Sequence, residues 1–225
     1  SSAYVIVRTF QPDILYAELG MAIAVRGSPV SAGTASASNL ALSYAGQGMV
    51  AGDLVIAVGS ADDGTFDRQW EPESGWNFRR CYTTQGLAGI YWRLADAGLV
   101  ASPSVTFDVS GTDDAIALCG IILSGVHQTV PVTCVEFWQE YWFSLDPFPS
   151  VDQLIAVASG CWTVASIHLG GNLPASGWAP SGYTERISRN SEGNAHIGLA
   201  TKNITGTAPI VETPGTWNIT SPDYG

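Results

Sequence analysis

The sequence predicts an all-β fold, a β-sandwich assembled from two related halves, and three observations predict it. Few windows place apolar residues at i, i+3, i+4 and i+7, the spacing an amphipathic helix needs. A dozen short apolar or alternating segments are separated by Gly, Pro, Ser, Asn and Asp, the punctuation of strands and turns. And one phrase is written twice: "GDLVIAVGS", Gly52 to Ser60, returns as "DQLIAVASG", Asp152 to Gly160.

Taken in order, residues 1–20, "SSAYVIVRTFQPDILYAELG", are apolar enough to be ordered. They have no counterpart elsewhere in the chain. They are expected to form an N-terminal arm, as an edge strand or as a segment lying on a neighbouring subunit. Residues 21–225 form the sandwich domain, in halves of about 21–120 and 121–225. "MAIAVRG", "NLALSY", "SVTFDVS" and "YTERIS" carry the strand signals of exposed or half-exposed segments. "DLVIAVGS", "IALCGII" and "LIAVAS" are continuously apolar, as central strands covered on both faces are.

The halves echo each other in order. "DLVIAVGS" from Asp53 matches "DQLIAVAS" from Asp152 at five of eight positions. The turn Ser74-Gly75-Trp76 returns as Ser176-Gly177-Trp178. "GLAGI" from Gly86 returns as "GNAHI" from Gly193, and "PSVT" from Pro103 as "PIVE" from Pro209. "IAVRG" ending at Gly27 parallels "IILSG" ending at Gly125. The unit is far longer than a solenoid repeat, so two copies make a sandwich and not an array. Asp53–Ser60 and Asp152–Ser159 are expected in related central positions. No polar linker falls near 121–126, which favours one interleaved sandwich over two adjacent ones.

Composition limits the partners. A chain of 225 residues can bury about 70% of its unfolded surface without metals or disulfides. Charged residues are 13% of it, against about 25% in typical domains. A surface so poor in charge loses little on touching protein, which points to an assembled state. Net charge is −11, with one lysine and scattered arginines. Nucleic acid and anionic membranes are therefore not expected partners. No signal peptide is visible, and the longest apolar run, 115–126, is too short to span a bilayer. Cys81, Cys119, Cys134 and Cys161 lack CxxC spacing, which argues against zinc. They read as buried thiols, with one or two disulfides as the alternative.

Two segments carry residue types suited to chemistry. In "CVEFWQEYWF", strand alternation puts Glu136, Trp138, Glu140 and Trp142 on one face. Two carboxylates among indoles resemble a glycosidase strand. That strand, in laminarinase-like hydrolases, has an Asp where Trp138 stands. On a regular strand the two glutamates lie about 13 Å apart. A retaining pair needs about 5–5.5 Å and an inverting pair about 6.5–9.5 Å, so only a bulge would rescue catalysis. The preferred reading is contact area, with sugar binding second. "SADDGTFDRQWE" holds Asp62, Asp63, Asp67 and Glu71, dense enough for calcium but without EF-hand register. A solvated acidic turn is preferred. His127, His168 and His196 are scattered and suggest no triad. Trp76 and Trp178 read as plugs at the ends of the sandwich. No catalytic residue, metal ligand or cofactor site is assigned, and no enzymatic activity is expected.

The order "AGDLVIAVGS", "ESGW", "GIYWRLADAG", "PSVTFDVSGTDDAIALCGIILSGV", then "SGYTERIS" and "GLATKN", resembles a jelly-roll-like β-sandwich module of tailed-bacteriophage virion proteins. The resemblance covers about residues 22–225, and no single motif in it is diagnostic. It implies a jelly-roll type of sandwich and a structural role without catalytic residues. That role is an outer-capsid cement or decoration protein, or else a receptor- or glycan-binding module of a tail or head fibre. The implied partners are the chain's own copies, as a homo-oligomer such as a trimer, and the major capsid protein. The implied location is the virion surface, after assembly in the host cytoplasm. The residues expected at interfaces are Tyr4, Val5, Ile6 and Phe10 of the arm, and Trp138, Tyr141, Trp142 and Phe143 of the aromatic strand.

Overall fold

The computed structural model describes residues 2–9, 22–61, 70–71, 73–83, 86–109, 114–129, 131–140, 150–151, 155–157, 160–169, 176–190, 195–205, 210–212, 215–216 and 218. In chain order the strands are β1 (Ser2–Thr9), β2 (Ala24–Ala37), β3 (Asn39–Ser43), β4 (Leu54–Ala61), β5 (Trp70–Glu71), β6 (Asn77–Thr83), β7 (Gly86–Leu94), β8 (Ser104–Val109) and β9 (Asp114–Ser124). They continue as β10 (Val132–Glu140), β11 (Ser150–Val151), β12 (Ile155–Val157), β13 (Trp162–Leu169), β14 (Thr184–Asn190), β15 (His196–Asn203), β16 (Ile210–Glu212) and β17 (Gly215–Thr216). The one helix among the described residues is α1 (Ala97–Ala101). The fold is all-β, and every strand pairing among the described residues is antiparallel.

A first five-stranded sheet runs β2-β9-β4-β7-β6. All eight residues of β4 are buried. Strand alternation sends successive side chains to opposite faces, so both faces of this sheet must be covered. On one face Val55, Ala57, Tyr91, Ile116, Leu118 and Ile122 pack with Leu42, Tyr44, Val105 and Phe107 of the three-stranded sheet β3-β8-β5 and its flanks. On the other, Leu54, Ile56, Val58, Ile90, Cys119, Ile121 and Leu123 pack with Val164, Ile197 and Leu199. Those three belong to a second five-stranded sheet, β10-β1-β13-β15-β14. The continuous apolar run of "LVIAV" is thus the expected signature of a strand with no solvent face.

Two short ladders, β12-β16 and β11-β17, complete the described strands. Their registers differ by a single residue, Ile155 opposite Glu212 against Val151 opposite Gly215.

The second sheet corrects the expected arm. Ser2–Thr9 is not an edge strand and does not lie outside the chain's own sheets. β1 is paired along one side by β10, Ser2 opposite Glu140 to Arg8 opposite Cys134, and along the other by β13, Ala3 opposite His168 to Thr9 opposite Trp162. The unbroken apolar run "YVIV" suits an interior strand; the lack of an internal echo says nothing about which strands it can pair with. Phe10 and the rest of 10–20 lie outside the described residues.

The structure also relocates the principal echo. Gly52 N donates to Ala95 O at 2.8 Å and Ala95 N to Asp53 O at 2.7 Å. The same pair of bonds recurs from Gly160 N to Ile204 O at 2.9 Å and from Ile204 N to Cys161 O at 2.8 Å. Gly52 and Gly160 both take positive φ, 91° and 81°, a turn that glycine enters without strain. The counterpart of Gly52-Asp53 is therefore Gly160-Cys161, and the counterpart of β4 is β13. The second copy of the phrase holds β12 instead. It pairs with β16 as β3 pairs with β8. Asp152–Leu154, Ala158 and Ser159 themselves lie outside the described residues. The physical origin of the mismatch is loop length: residues 44–53 separate β3 from β4, whereas only 158–161 separate β12 from β13.

"IAVRG" and "IILSG" are likewise not counterparts. They sit in β2 and β9, which pair with each other, Ala24 opposite Ser124. Both end in a glycine of positive φ. The Ser-Gly-Trp echo does correspond: Gly75 and Gly177 have φ of 89° and 77°, and Trp76 and Trp178 are buried before β6 and β14.

The two five-stranded sheets face each other with a two-fold pattern. β14 contacts β2 as β6 contacts β10, β15 contacts β9 as β7 contacts β1, and β13 lies on β4. Exchanging β2 with β10, β9 with β1, β4 with β13, β7 with β15 and β6 with β14 maps these five contacts onto one another, whereas the contacts of β14 with β9 and of β15 with β4 have no equal in β6 with β1 and β7 with β13.

Candidate functional site

Three places concentrate polar groups. The first lies between the two large sheets. Val164 faces the first sheet, so alternation carries Ser166 and His168 to the same face. Ser166 Oγ and His168 Nε2 are 2.9 Å apart, and both residues are buried, at 1% and 3% exposure. Burial pushes the His168 pKa down to about 3, against a smaller opposing effect of the Gly59 backbone on β4. His168 Nδ1 meets no partner in hydrogen-bonding geometry. A serine beside an imidazole is the start of a nucleophile and base pair. Here the pair is closed off by the β-sheets themselves, and the imidazole is too weak a base to act near neutral pH. It is a polar inclusion in the inter-sheet core.

The second place is the turn "AGD". Asp53, 2% exposed, accepts a hydrogen bond from Val50 N at 2.9 Å and pairs with Arg26 Nε at 2.6 Å. Gln128 Nε2 donates to Gly52 O at 2.9 Å and to Val126 O at 3.0 Å, and Gln47 Oε1 accepts from Ser28 N at 2.7 Å. The loops at this end are tied to one another by these bonds. Asp53→Ala should cost about 1–2 kcal/mol, since it leaves Val50 N without its acceptor while the half-exposed Arg26 returns to water. Urea unfolding measures it. A cost indistinguishable from zero would show that Asp53 does not fasten the turn.

Other carboxylates serve backbone donors in the same way. Glu73 Oε1 accepts from Thr106 N at 2.5 Å, and Glu185 Oε1 from Trp178 N at 2.5 Å and Ala179 N at 3.0 Å. Asp96 caps α1 through Leu99 N at 2.8 Å and meets Arg93 Nη2 at 2.5 Å; these two contacts hold its carboxyl below the usual range.

The third place is β10, at the edge of the second sheet. Tyr4 stands opposite Trp138, Ile6 opposite Glu136 and Ser2 opposite Glu140. These register positions share the sheet face of Thr163, Ala165 and Ile167, away from the first sheet. Val5 stands opposite Ser166 and Phe137, on the face turned to the first sheet. Of the expected interface set, Tyr4, Val5, Ile6 and Trp138 are thus brought into one sheet; Phe10, Tyr141, Trp142 and Phe143 lie outside the described residues. The pairing from Glu136 to Glu140 runs without a register shift, so the backbone there carries no bulge. Regular strand spacing sets their two backbone positions about 13 Å apart.

Asp62, Asp63 and Asp67 of the acidic loop lie outside the described residues. Among the described residues no group of three or more His, Cys, Asp or Glu could hold a metal ion, and no helix is long and apolar enough to cross a membrane. Cys119 and Cys161 are buried free thiols, and burial pushes the Cys119 pKa well up. The Ser166–His168 pair is not legible in the sequence because "SIH" carries no signal of its own; only the pairing of β13 beneath β4 makes it a buried couple. Comparisons with protein-family models, with curated proteins and with solved structures each find no match.

Proposed function

We propose that this is a non-catalytic assembly protein, a β-sandwich of jelly-roll type built from two related halves, that works by being bound in place. The observation that carries the reading is the use to which the buried and half-buried polar groups of the described residues are put. Asp53, Glu73, Glu185 and the Ser166–His168 pair are engaged by the chain's own backbone or by each other, not gathered at an open cleft. The charge-poor composition supports it, since such a surface loses little on contact with protein. The resemblance of the sequence to virion modules extends the proposal to an outer-capsid cement or decoration protein acting as a homo-oligomer on the major capsid protein. A second reading, a glycan-binding module of a phage fibre, is favoured by the alternation of Glu136, Trp138 and Glu140 on an edge strand.

Capsid occupancy and polysaccharide cleavage of four proteins separate these readings. Trp138→Ala should reduce occupancy by tenfold or more, the effect of losing an aromatic anchor of about 2 kcal/mol. Glu136→Gln and Glu140→Gln should assemble like the parent, because rim charges contribute weakly. Unchanged occupancy for Trp138→Ala together with lost glycan binding would favour the fibre reading. Glycan cleavage by the parent that either Gln variant lacks would overturn both.

A further inference from the structure

The strand that completes the second sheet comes from the other side of the chain. In the first sheet the seat between β2 and β4 is filled by β9, which follows β8 after residues 110–113. In the second sheet the matching seat lies between β10 and β13, and β1 fills it. β1 is joined to β2 of the first sheet through residues 10–23. Its ladders all run to the second sheet, on both edges, from Ser2 to Thr9. What holds β1 in place is therefore separate from what tethers it.

We propose that the seat between β10 and β13 is a strand-binding site that accepts β1 from a second copy of this chain, so that copies link by strand exchange. The main-chain bonds of a strand in this seat are the same whichever copy supplies it, so cis and trans occupancy are isoenergetic at the seat. Residues 10–21, up to the buried Ile23, span at most about 45 Å when extended, enough for a neighbouring copy in close contact. And covalent connection over this length favours cis by an effective concentration of the order of 1 mM. Exchange is then negligible in dilute solution and substantial where copies are crowded together. Because a donated strand leaves its own chain's seat open, the contact is heterologous and propagates, or closes when two copies trade strands. This inference stands whether or not the protein belongs to a virion.

The register supplies the test. Ile6 stands opposite Ala165, and directly opposed residues lie within disulfide reach. Full-length Ile6→Cys and full-length Ala165→Cys are mixed unfolded under reducing conditions, refolded together and mildly oxidised. A disulfide between the two chains requires that one has donated β1 to the other. In an equal mixture, where half of the exchanged strands meet the complementary variant, heterodimer should rise from about one chain in two hundred at about 10 µM to about a quarter of the chains at about 1 mM. A mixture of Ile6→Cys with Ala97→Cys, at an exposed residue, sets the background from the native cysteines. The double variant in one chain, refolded dilute, should close internally. If the double variant closes internally while the mixed pair stays at background at every concentration, exchange is overturned. If the double variant does not close, β1 does not occupy the seat, and the proposal falls with it.

Discussion

Alanine at Gly120 will destabilise the protein by about 3 kcal/mol or more, the largest effect expected of so small a change. Gly120 lies in β9, on the face turned to β3 and β8. A Cβ there would collide with the Tyr44 hydroxyl and come within 2.8 Å of Leu42 Cδ2. Neither neighbour can give way. Leu42 is completely buried, and Tyr44, 1% exposed, donates its hydroxyl to Ile56 O at 2.8 Å. Burial also raises the Tyr44 pKa well above that of a free phenol, so the donor stays protonated. Overpacking and loss of this hydrogen bond act together. The two residues should therefore be coupled. Tyr44→Phe removes the colliding oxygen, and in that background Gly120→Ala should cost at least about 1 kcal/mol less than in the parent. Urea denaturation of the four proteins in the cycle measures it. Additive losses would mean that the sheets separate to admit the methyl group, and that the inter-sheet spacing is not fixed by Tyr44.

Acid will unfold the protein partly through His168. Its folded pKa is about 3, below the ordinary 6.5 of histidine, because burial disfavours the charged ring. Above pH 6.5 the ring is neutral in both states and contributes no pH dependence. As pH falls below 6.5 the unfolded chain takes up a proton that the fold refuses, and stability declines until about pH 3. Within that window the slope approaches about 1.4 kcal/mol per pH unit, so about 3 kcal/mol is lost between about pH 6.5 and about pH 4. Carboxylates titrate in the same range, so the informative quantity is a difference. The stability of the parent minus that of His168→Gln should shrink by that amount as pH falls from about 7 to about 4. A difference that does not change with pH would place the imidazole in contact with water.

Properties that depend on neighbours along the chain are legible in the sequence itself. Alternation and turn residues announce an all-β chain. The unbroken apolar runs of β4 and β9 announce strands covered on two faces, because a strand with a solvent face cannot keep every side chain apolar. The Ser-Gly-Trp turns are recognisable as a pair, since a left-handed glycine followed by a buried indole is a local requirement. Cys119 and Cys161 read correctly as buried thiols from their apolar surroundings.

Tertiary structure alone decides the rest. Residues 1–20 read as an arm because β1 has no echo within the chain, yet Ser2–Thr9 fills the seat that β9 fills in the first sheet. Strand pairing joins residues far apart in the chain, and any apolar alternating segment satisfies its hydrogen bonds equally well. The phrase "LIAV" matches β4 but takes the place of β3, since a strand's apolar vocabulary reports burial and not position. Ser166 and His168 become a couple only when β13 is laid under β4. The registers of β1, which set Tyr4 opposite Trp138 and keep Glu136 apart from Glu140, follow from backbone bonds to two partners more than a hundred residues away, and side-chain pattern within the strand does not encode them.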